Sequence, residues 1–180
     1  METQPISIKK SAVNYGLILG AILALTTTLM YVLNPNLFTE WWIGILSFII
    51  IIAMGIVSVA KAKGLLNGII NFKEGFTVYF ITIAVGLLIS TIVGILIFNI
   101  IDPDMAKFLQ EKTLEITAEM LQKFGTPQAE IDKQMAKMAE QDNFAIGTQL
   151  KNYVFSLAFM SVIGLLVALI FKTGNQNPLN

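Results

Sequence analysis

Four long apolar runs, separated by short polar segments and one long charged segment, organise this chain. The longest reads FTVYFITIAVGLLISTIVGILIFNII, from residue 76 to 101, and contains no charged residue. As an α-helix it would be about 39 Å long, more than the roughly 30 Å hydrocarbon core of a bilayer. In lipid, such a run satisfies its own backbone hydrogen bonds as a helix, so the pattern predicts a membrane span.

Three further runs predict spans of the same kind, at residues 12–33, 42–59 and 153–171. Trp41 and Trp42 stand at the start of the second run, where amphipathic rings favour the lipid headgroups. The loop 34–40 is short, so the first two helices are expected to be antiparallel neighbours. The segment 60–75 carries three lysines and too few apolar residues to span, and it is interpreted as a short interfacial helix. The polar tail 173–180 is expected to be disordered.

The long polar segment, residues 102–152, separates the third and fourth runs. Asp102 and Thr126 each precede a proline, the pattern with which helices begin, and Gly125 is expected to end the first of the two helices. The segment is therefore predicted to be a helical hairpin. Its two helices carry apolar side chains on one face, called here the apolar seam. This seam is expected to pack between the two helices, against the bundle or against a partner. Its residues are Leu109, Ile116, Met120, Phe124, Ile131, Met135 and Met138.

Small residues recur at four-residue spacing in three of the predicted spans. Such ridges let helix backbones approach closely in a membrane. The pattern predicts packing within one bundle, and a homo-oligomer interface is the alternative. The positions are Gly16, Gly20 and Ala24 in the first span, Gly86, Ser90 and Gly94 in the third, and Gly164 and Ala168 in the fourth.

Composition narrows the classes of function. Only 13% of the residues are charged, whereas soluble domains carry about 25%. The 12 basic residues are all lysines, and the chain has no cysteine and no histidine. Thiolate nucleophiles and imidazole bases are thereby excluded, and nucleic acid is not expected as a partner. No charged residue lies within the four predicted spans, which argues against ion-coupled transport and intramembrane proteolysis.

A stripe of acidic residues follows the first hairpin helix: Asp104, Glu111, Glu115 and Glu119. Hard divalent cations take carboxylate oxygens, so a metal site is one interpretation. The favoured interpretation is a solvated helix face, on which pairs such as Glu119 with Lys123 reduce the repulsion between the acidic side chains. No metal, cofactor or catalytic residue is therefore predicted, and the protein is not expected to be an enzyme.

The placement of lysines predicts the orientation in the membrane. The N-terminal segment, the loop before the third span and the segment after the fourth carry Lys9, Lys10, Lys61, Lys63, Lys73 and Lys172. The loop between the first two spans carries none. By the positive-inside rule, both termini are expected in the cytoplasm and the hairpin outside it.

The layout resembles the uncharacterised domain-of-unknown-function family 4199 (DUF4199). The resemblance rests on the NYGLILGAI start (Asn14 to Ile22), the GIINFKEGF linker (Gly68 to Phe76) and the MLQKFGTPQAEIDKQMAKM stretch (Met120 to Met138). It implies bacterial four-span proteins of the cell envelope, and it brings no catalytic residues to this chain.

The sequence thus predicts an all-α membrane protein that forms a single membrane domain over residues 1–180, set in the bacterial inner membrane. The expected function is a non-enzymatic structural or accessory role, in which the hairpin contacts an envelope protein. The alternative is a small oligomeric channel or transporter. The expected partners are the lipid bilayer, an envelope protein and, as a further alternative, a second copy of the chain.

Overall fold

The computed structural model describes residues 7–173, and within them it contains helices and no strand. The elements are α1 (Ile8–Leu33), a 3-10 helix (Pro35–Thr39), α2 (Trp41–Leu65), α3 (Phe72–Ile95), a π-helix (Leu96–Ile101), α4 (Pro103–Lys123), α5 (Gln128–Ala139) and α6 (Ile146–Phe171). Helices α1, α2, α3 with its π-helical extension, and α6 are long and apolar enough to cross a membrane. The predicted all-α bundle of four membrane helices is confirmed. The tail predicted to be disordered lies, from residue 174 on, outside the described residues.

Helix α2 runs past the predicted bound of residue 59, and the predicted interfacial helix is wrong. Residues 60–65 form the last turns of α2, and α3 already begins at Phe72. Helix α6 likewise begins at Ile146, before the predicted residue 153. In each case the helix continues through polar residues. A change from apolar to polar residues marks the edge of the lipid, but the backbone hydrogen bonds of a helix can extend beyond that edge.

The loop between α2 and α3 is fixed by two helix caps. Asn67 and Gly68 adopt φ values of 56° and 84°, and the Gly68 N–H donates to Lys63 O at 2.9 Å, which closes α2. Asn71 and Glu74 form a capping box at the start of α3. The Glu74 N–H donates to Asn71 Oδ1, and the Asn71 N–H donates to Glu74 Oε2, each at 2.9 Å.

The same loop contacts the end of α6. The Thr173 N–H donates to Ile70 O at 2.9 Å, and Lys63 Nζ donates to Phe171 O at 3.1 Å. The α2–α3 loop and the end of α6 therefore lie together at one end of the bundle. The start of α1 lies there too, since Ser11 and Asn14 line one cavity with Lys61 and Gly64. This end is called here the lysine end. The π-helix, α4, α5 and the start of α6 lie at the other, the π-helix end.

Helix α3 is the centre of the bundle, since it packs against α1, α2 and α6. Its Tyr79, Val78 and Ile83 are buried, together with Leu19 of α1 and Val59 of α2. Thr82 is also fully buried and shares a 2.7 Å hydrogen bond with the hydroxyl of Ser58 in α2. The middle of the bundle is therefore tightly packed.

Of the two helix caps predicted in the polar segment, one is confirmed and one is wrong. Asp102 caps α4, because its Oδ1 accepts the Met105 N–H at 3.0 Å. Gly125 ends α4 with φ 76°, as predicted. Thr126 does not cap α5: Pro127 takes the N-cap position, and no side chain caps the helix. Thr126 stands one residue too early for its hydroxyl to serve the first free N–H groups.

Candidate functional site

The glycines of the predicted ridges on α1 and α3 lie where these two helices meet. A Cβ at Gly16 would lie 2.7 Å from Val85 Cβ, and one at Gly20 would lie 2.7 Å from Ile89 Cβ. On the opposing helix, a Cβ at Gly86 would lie 2.5 Å from a side-chain atom of α1. Real Cβ atoms do not approach so closely, so each glycine provides the space that a neighbouring side chain fills.

On α6, Gly164 and Ala168 both face α3. A Cβ at Gly164 would lie 2.6 Å from Tyr79 Cδ1, and Ala168 is fully buried, with its Cα 3.5 Å from where a Cβ of Gly75 would stand. Gly55 of α2, which sequence reasoning missed, contacts the other edge of the Tyr79 ring. Gly55 has no small neighbour at four-residue spacing, so no ridge pointed to it.

The remaining positions of the predicted ridges lie towards the π-helix end. Ala24 and Ser90 are half-buried, and Gly94 is buried. A Cβ at Gly94 would lie 3.1 Å from Oε1 of Gln149 in α6. Here the ridge on α3 meets a polar side chain rather than an apolar one.

The apolar seam of the α4–α5 segment divides into buried and exposed parts. Leu109 and Ile131 are 1% and 2% exposed, and Met135 and Met138 are half-buried. Leu109 belongs to a cluster with Ile97, Phe98 and Ala106 at the base of α4. The exposed part consists of Ile116, Met120 and Phe124, which are 36%, 49% and 80% exposed.

The acidic stripe lies on exposed surface, and most of its members pair with lysines one turn away. The pairs are Asp104 with Lys107 at 2.9 Å, Glu115 with Lys112 at 2.9 Å, and Glu119 with Lys123 at 3.8 Å. The hydrogen bond and charge of Lys107 lower the pKa of Asp104. Among residues 7–173, no three acidic side chains converge as metal ligands would.

A polar and aromatic junction holds the π-helix end together. Asp102 Oδ2 accepts the Tyr31 hydroxyl at 3.1 Å, which joins the end of α1 to the start of α4. Phe98, in the π-helix, meets Phe38 and Phe144 edge-on, with ring centroids 5.4 and 5.0 Å apart. π-Helical turns often occur at functional sites.

Two cavities open beside this junction, one on each side of Phe98. The first has a volume of about 280 Å³ and lies between α1, α3 and α6. Its wall consists of Thr27, Phe38, Leu87, Ser90, Thr91, Gly94, Phe98, Gln149, Asn152, Tyr153 and Ser156. The second, of about 290 Å³, lies against α4 and includes Asn99, Lys107, Gln110 and Asp142 in its wall. The first cavity is called here the bundle cavity, and its wall includes seven uncharged side chains that carry a hydroxyl or amide group.

The family described as protein of unknown function (DUF4199) matches residues 14–173. The chain belongs to this family. The DUF4199 match extends from α1 to the segment after α6, so it includes the bundle cavity and the α4–α5 segment. No curated protein and no solved structure matched the chain.

Sequence reasoning missed the bundle cavity of this DUF4199 protein. Gln149 and Asn152 belong to the predicted hairpin and Phe98 belongs to a predicted span, so the sequence alone does not predict that the three residues line one cavity. One signal was present: Gln149, Asn152, Tyr153 and Ser156 follow at spacings of three and four residues and therefore share one face of α6.

Proposed function

We propose that this DUF4199 protein is a non-enzymatic accessory protein of the bacterial inner membrane, whose α4–α5 segment contacts an envelope protein. The observation that carries this proposal is the exposed apolar stripe of Ile116, Met120 and Phe124. The stripe lies on a charged helix outside the four spans, where lipid tails do not explain it. Apolar patches exposed to water mark interaction sites.

The stripe is presented on a firmly anchored helix. Asp102 caps α4, and Leu109 buries its base against the π-helix. Gln110 Nε2 donates to Gln141 O at 2.9 Å, which fixes the end of α5 against α4. Ile116 and Met120 stand four residues apart on α4, and Phe124 follows four residues later as its C-cap, a spacing that suits a hydrophobic groove on a partner.

The charges at the two ends of the bundle support the proposed orientation. The lysine end holds six lysines and, among the described residues, one acid, Glu74. The π-helix end holds six lysines and ten acids. By the positive-inside rule this asymmetry favours a cytoplasmic lysine end, with both termini in the cytoplasm and α4–α5 outside.

A photocrosslinking side chain at Phe124, in native membranes, tests the partner contact. The expected result is one discrete crosslinked protein, because the stripe would lie in a specific groove. Gln122 is the matched control, since two residues along a helix point to nearly opposite sides. The crosslink should disappear when Ile116→Ser and Met120→Ser are combined. Capture of lipid alone, or equal capture at both positions, would contradict the proposal.

A small channel or transporter is the second candidate, favoured by the bundle cavity inside the spans. Tyr79, Leu19 and Ile83 form a packed layer between that cavity and the lysine end, which supports the accessory role instead. The glycine ridges are occupied by contacts within the chain, and this supports bundle packing over a homo-oligomer interface. Solute flux through reconstituted protein would favour the channel or transporter over the accessory role.

A further inference from the structure

We propose that the bundle cavity binds an uncharged, multiply hydroxylated group, such as a sugar ring, supplied either as a free molecule or as a lipid headgroup. This inference is independent of the proposed partner contact, because the cavity lies between α1, α3 and α6 and the exposed stripe lies on α4. It rests on three properties of the wall: free hydrogen-bonding groups, aromatic faces and the absence of charge.

The serine and threonine hydroxyls of the wall are free to bind a ligand. Elsewhere in the spans, Thr26, Thr28 and Ser161 donate to carbonyls one turn back, at 2.9, 2.8 and 2.7 Å. The four serine and threonine hydroxyls of the wall make no hydrogen bond within residues 7–173: Thr27, Ser90, Thr91 and Ser156. Thr27, Ser90 and Thr91 are half-buried and Ser156 is exposed, so all four can be reached from the open cavity. Polar groups at membrane depth are costly unless they find a partner, so four such hydroxyls around one cavity indicate a polar occupant.

Gln149 has its side chain oriented by the protein. Its Nε2 donates to Phe144 O at 2.6 Å, which leaves Oε1 as a free acceptor. Oε1 occupies the space that a side chain at position 94 would need, at 3.1 Å from a Cβ built on Gly94. Tyr153 is oriented in the same way, since its hydroxyl donates to Ala84 O at 3.3 Å. The wall therefore offers a fixed acceptor and a fixed aromatic ring.

The chemistry of the wall selects among ligands. The lining residues include no charged side chain, so a phosphate or carboxylate would lose its hydration without a counter-charge. Phe38, Phe98 and Tyr153 provide ring faces for the C–H side of a ligand, and the hydroxyls and amides provide partners for its polar side. The cavity volume of about 280 Å³ holds several water molecules and leaves room for a group of the size of a single sugar ring.

Protection of an introduced cysteine from alkylation tests the proposal, because the chain has no native cysteine. The Ser90→Cys variant of the full chain is placed in phosphatidylcholine nanodiscs, after extraction in a detergent without sugar headgroups, and treated with N-ethylmaleimide. The probes are glucose, glucose 6-phosphate and, in a separate arm, glucosyl diacylglycerol in the nanodisc. Gly147→Cys is the matched control, since Gly147 is exposed near the start of α6 and does not line the cavity.

We expect glucose or the glycolipid to slow alkylation at position 90 and not at position 147, and glucose 6-phosphate to have no effect. Protection by the glycolipid alone identifies a headgroup as the source. Adding Thr91→Val and Ser156→Ala to Ser90→Cys should raise the half-protecting concentration about tenfold, since two ligand hydrogen bonds are lost. Thr28→Val should leave the half-protecting concentration unchanged, because the Thr28 hydroxyl bonds to its own helix.

Several results would overturn the proposal. If neither glucose nor the glycolipid protects the Ser90→Cys variant, the cavity holds only water. Equal protection at both cysteines, or protection unchanged by the loss of the wall hydroxyls, places binding elsewhere. Equal protection by glucose 6-phosphate contradicts an uncharged ligand. A cysteine at position 90 that N-ethylmaleimide does not reach shows a cavity closed to molecules of this size.

Discussion

At the scale of single residues, Tyr79 determines how closely three helices approach. Its ring is fully buried and fits between Gly55 of α2 and Gly164 of α6. Each glycine leaves the space that one edge of the ring occupies, so α2 and α6 both pack directly against it. Both glycines are needed for their small size, since neither has a positive φ.

Gly55→Ala is therefore expected to lower the thermal stability of the protein in detergent. The added methyl would meet the Tyr79 ring, and overpacking of this kind costs about 1–3 kcal/mol. Gly44→Ala, in the same helix, is the control, because a Cβ there meets nothing within 4 Å. Alanine is the better helix former by about 1 kcal/mol, so Gly44→Ala should be neutral or stabilising. Equal melting temperatures for the two variants would show that the Tyr79 ring moves aside at little cost in stability, and would contradict this prediction.

Residue spacing allowed some of these contacts to be predicted and concealed others. Gly16, Gly20 and Gly86 stand in ridges of small residues, a pattern visible in one sequence, and the structure places them between α1 and α3. Gly55 is a lone glycine among large apolar residues, and what it accommodates is a side chain 24 positions later. Pairings of that kind depend on how helices are rotated against one another, which periodicity does not fix.

At the scale of elements, Asp102 connects the spans to the α4–α5 segment. One oxygen of its carboxylate caps α4 through the Met105 N–H, and the other accepts the Tyr31 hydroxyl. Loss of an N-cap costs about 0.5–2 kcal/mol. Asp102→Ala should therefore lower the melting temperature in detergent and loosen α4 at its base.

Tyr31→Phe separates the two roles of Asp102, because it removes the hydrogen bond between elements and keeps the cap. Tyr31→Phe is expected to lower the free energy of unfolding by less than Asp102→Ala does, by about 0.5–1.5 kcal/mol for one hydrogen bond. Asp104→Ala is the control, since Asp104 is exposed and pairs only with Lys107 in the next turn. An effect of Asp104→Ala as large as that of Asp102→Ala would contradict this account of the junction.

The bounds of helices were less predictable than their existence. The capping side chain of Asp102 and the glycine at position 125 are local signals, and the structure confirms both. The helical residues 60–65 and 146–152 were assigned to polar segments, because helices continue into the interface where lysine and amide side chains are tolerated. The Asn71–Glu74 capping box was present in the sequence as a local signal and marks the true start of α3.

At the scale of the whole molecule, charge separates the two ends of a bundle whose net charge is zero. Lysines dominate the end where the α2–α3 loop meets Thr173, and acids dominate the end that carries α4 and α5. A membrane protein with this asymmetry is expected to insert with its lysine end in the cytoplasm. The exposed stripe on α4 and the bundle cavity then both lie towards the opposite side of the membrane.

Labelling of single cysteines in intact cells tests this central claim most directly, since the native chain contains no cysteine. Asn34 and Gln128 stand at the π-helix end, and Gly64 stands at the lysine end; all three are exposed. With a membrane-impermeant maleimide added from outside, we predict labelling of Asn34→Cys and Gln128→Cys and none of Gly64→Cys until the cells are opened. Labelling of Gly64→Cys from outside, with Asn34→Cys and Gln128→Cys protected, would show the inverted orientation and contradict the account.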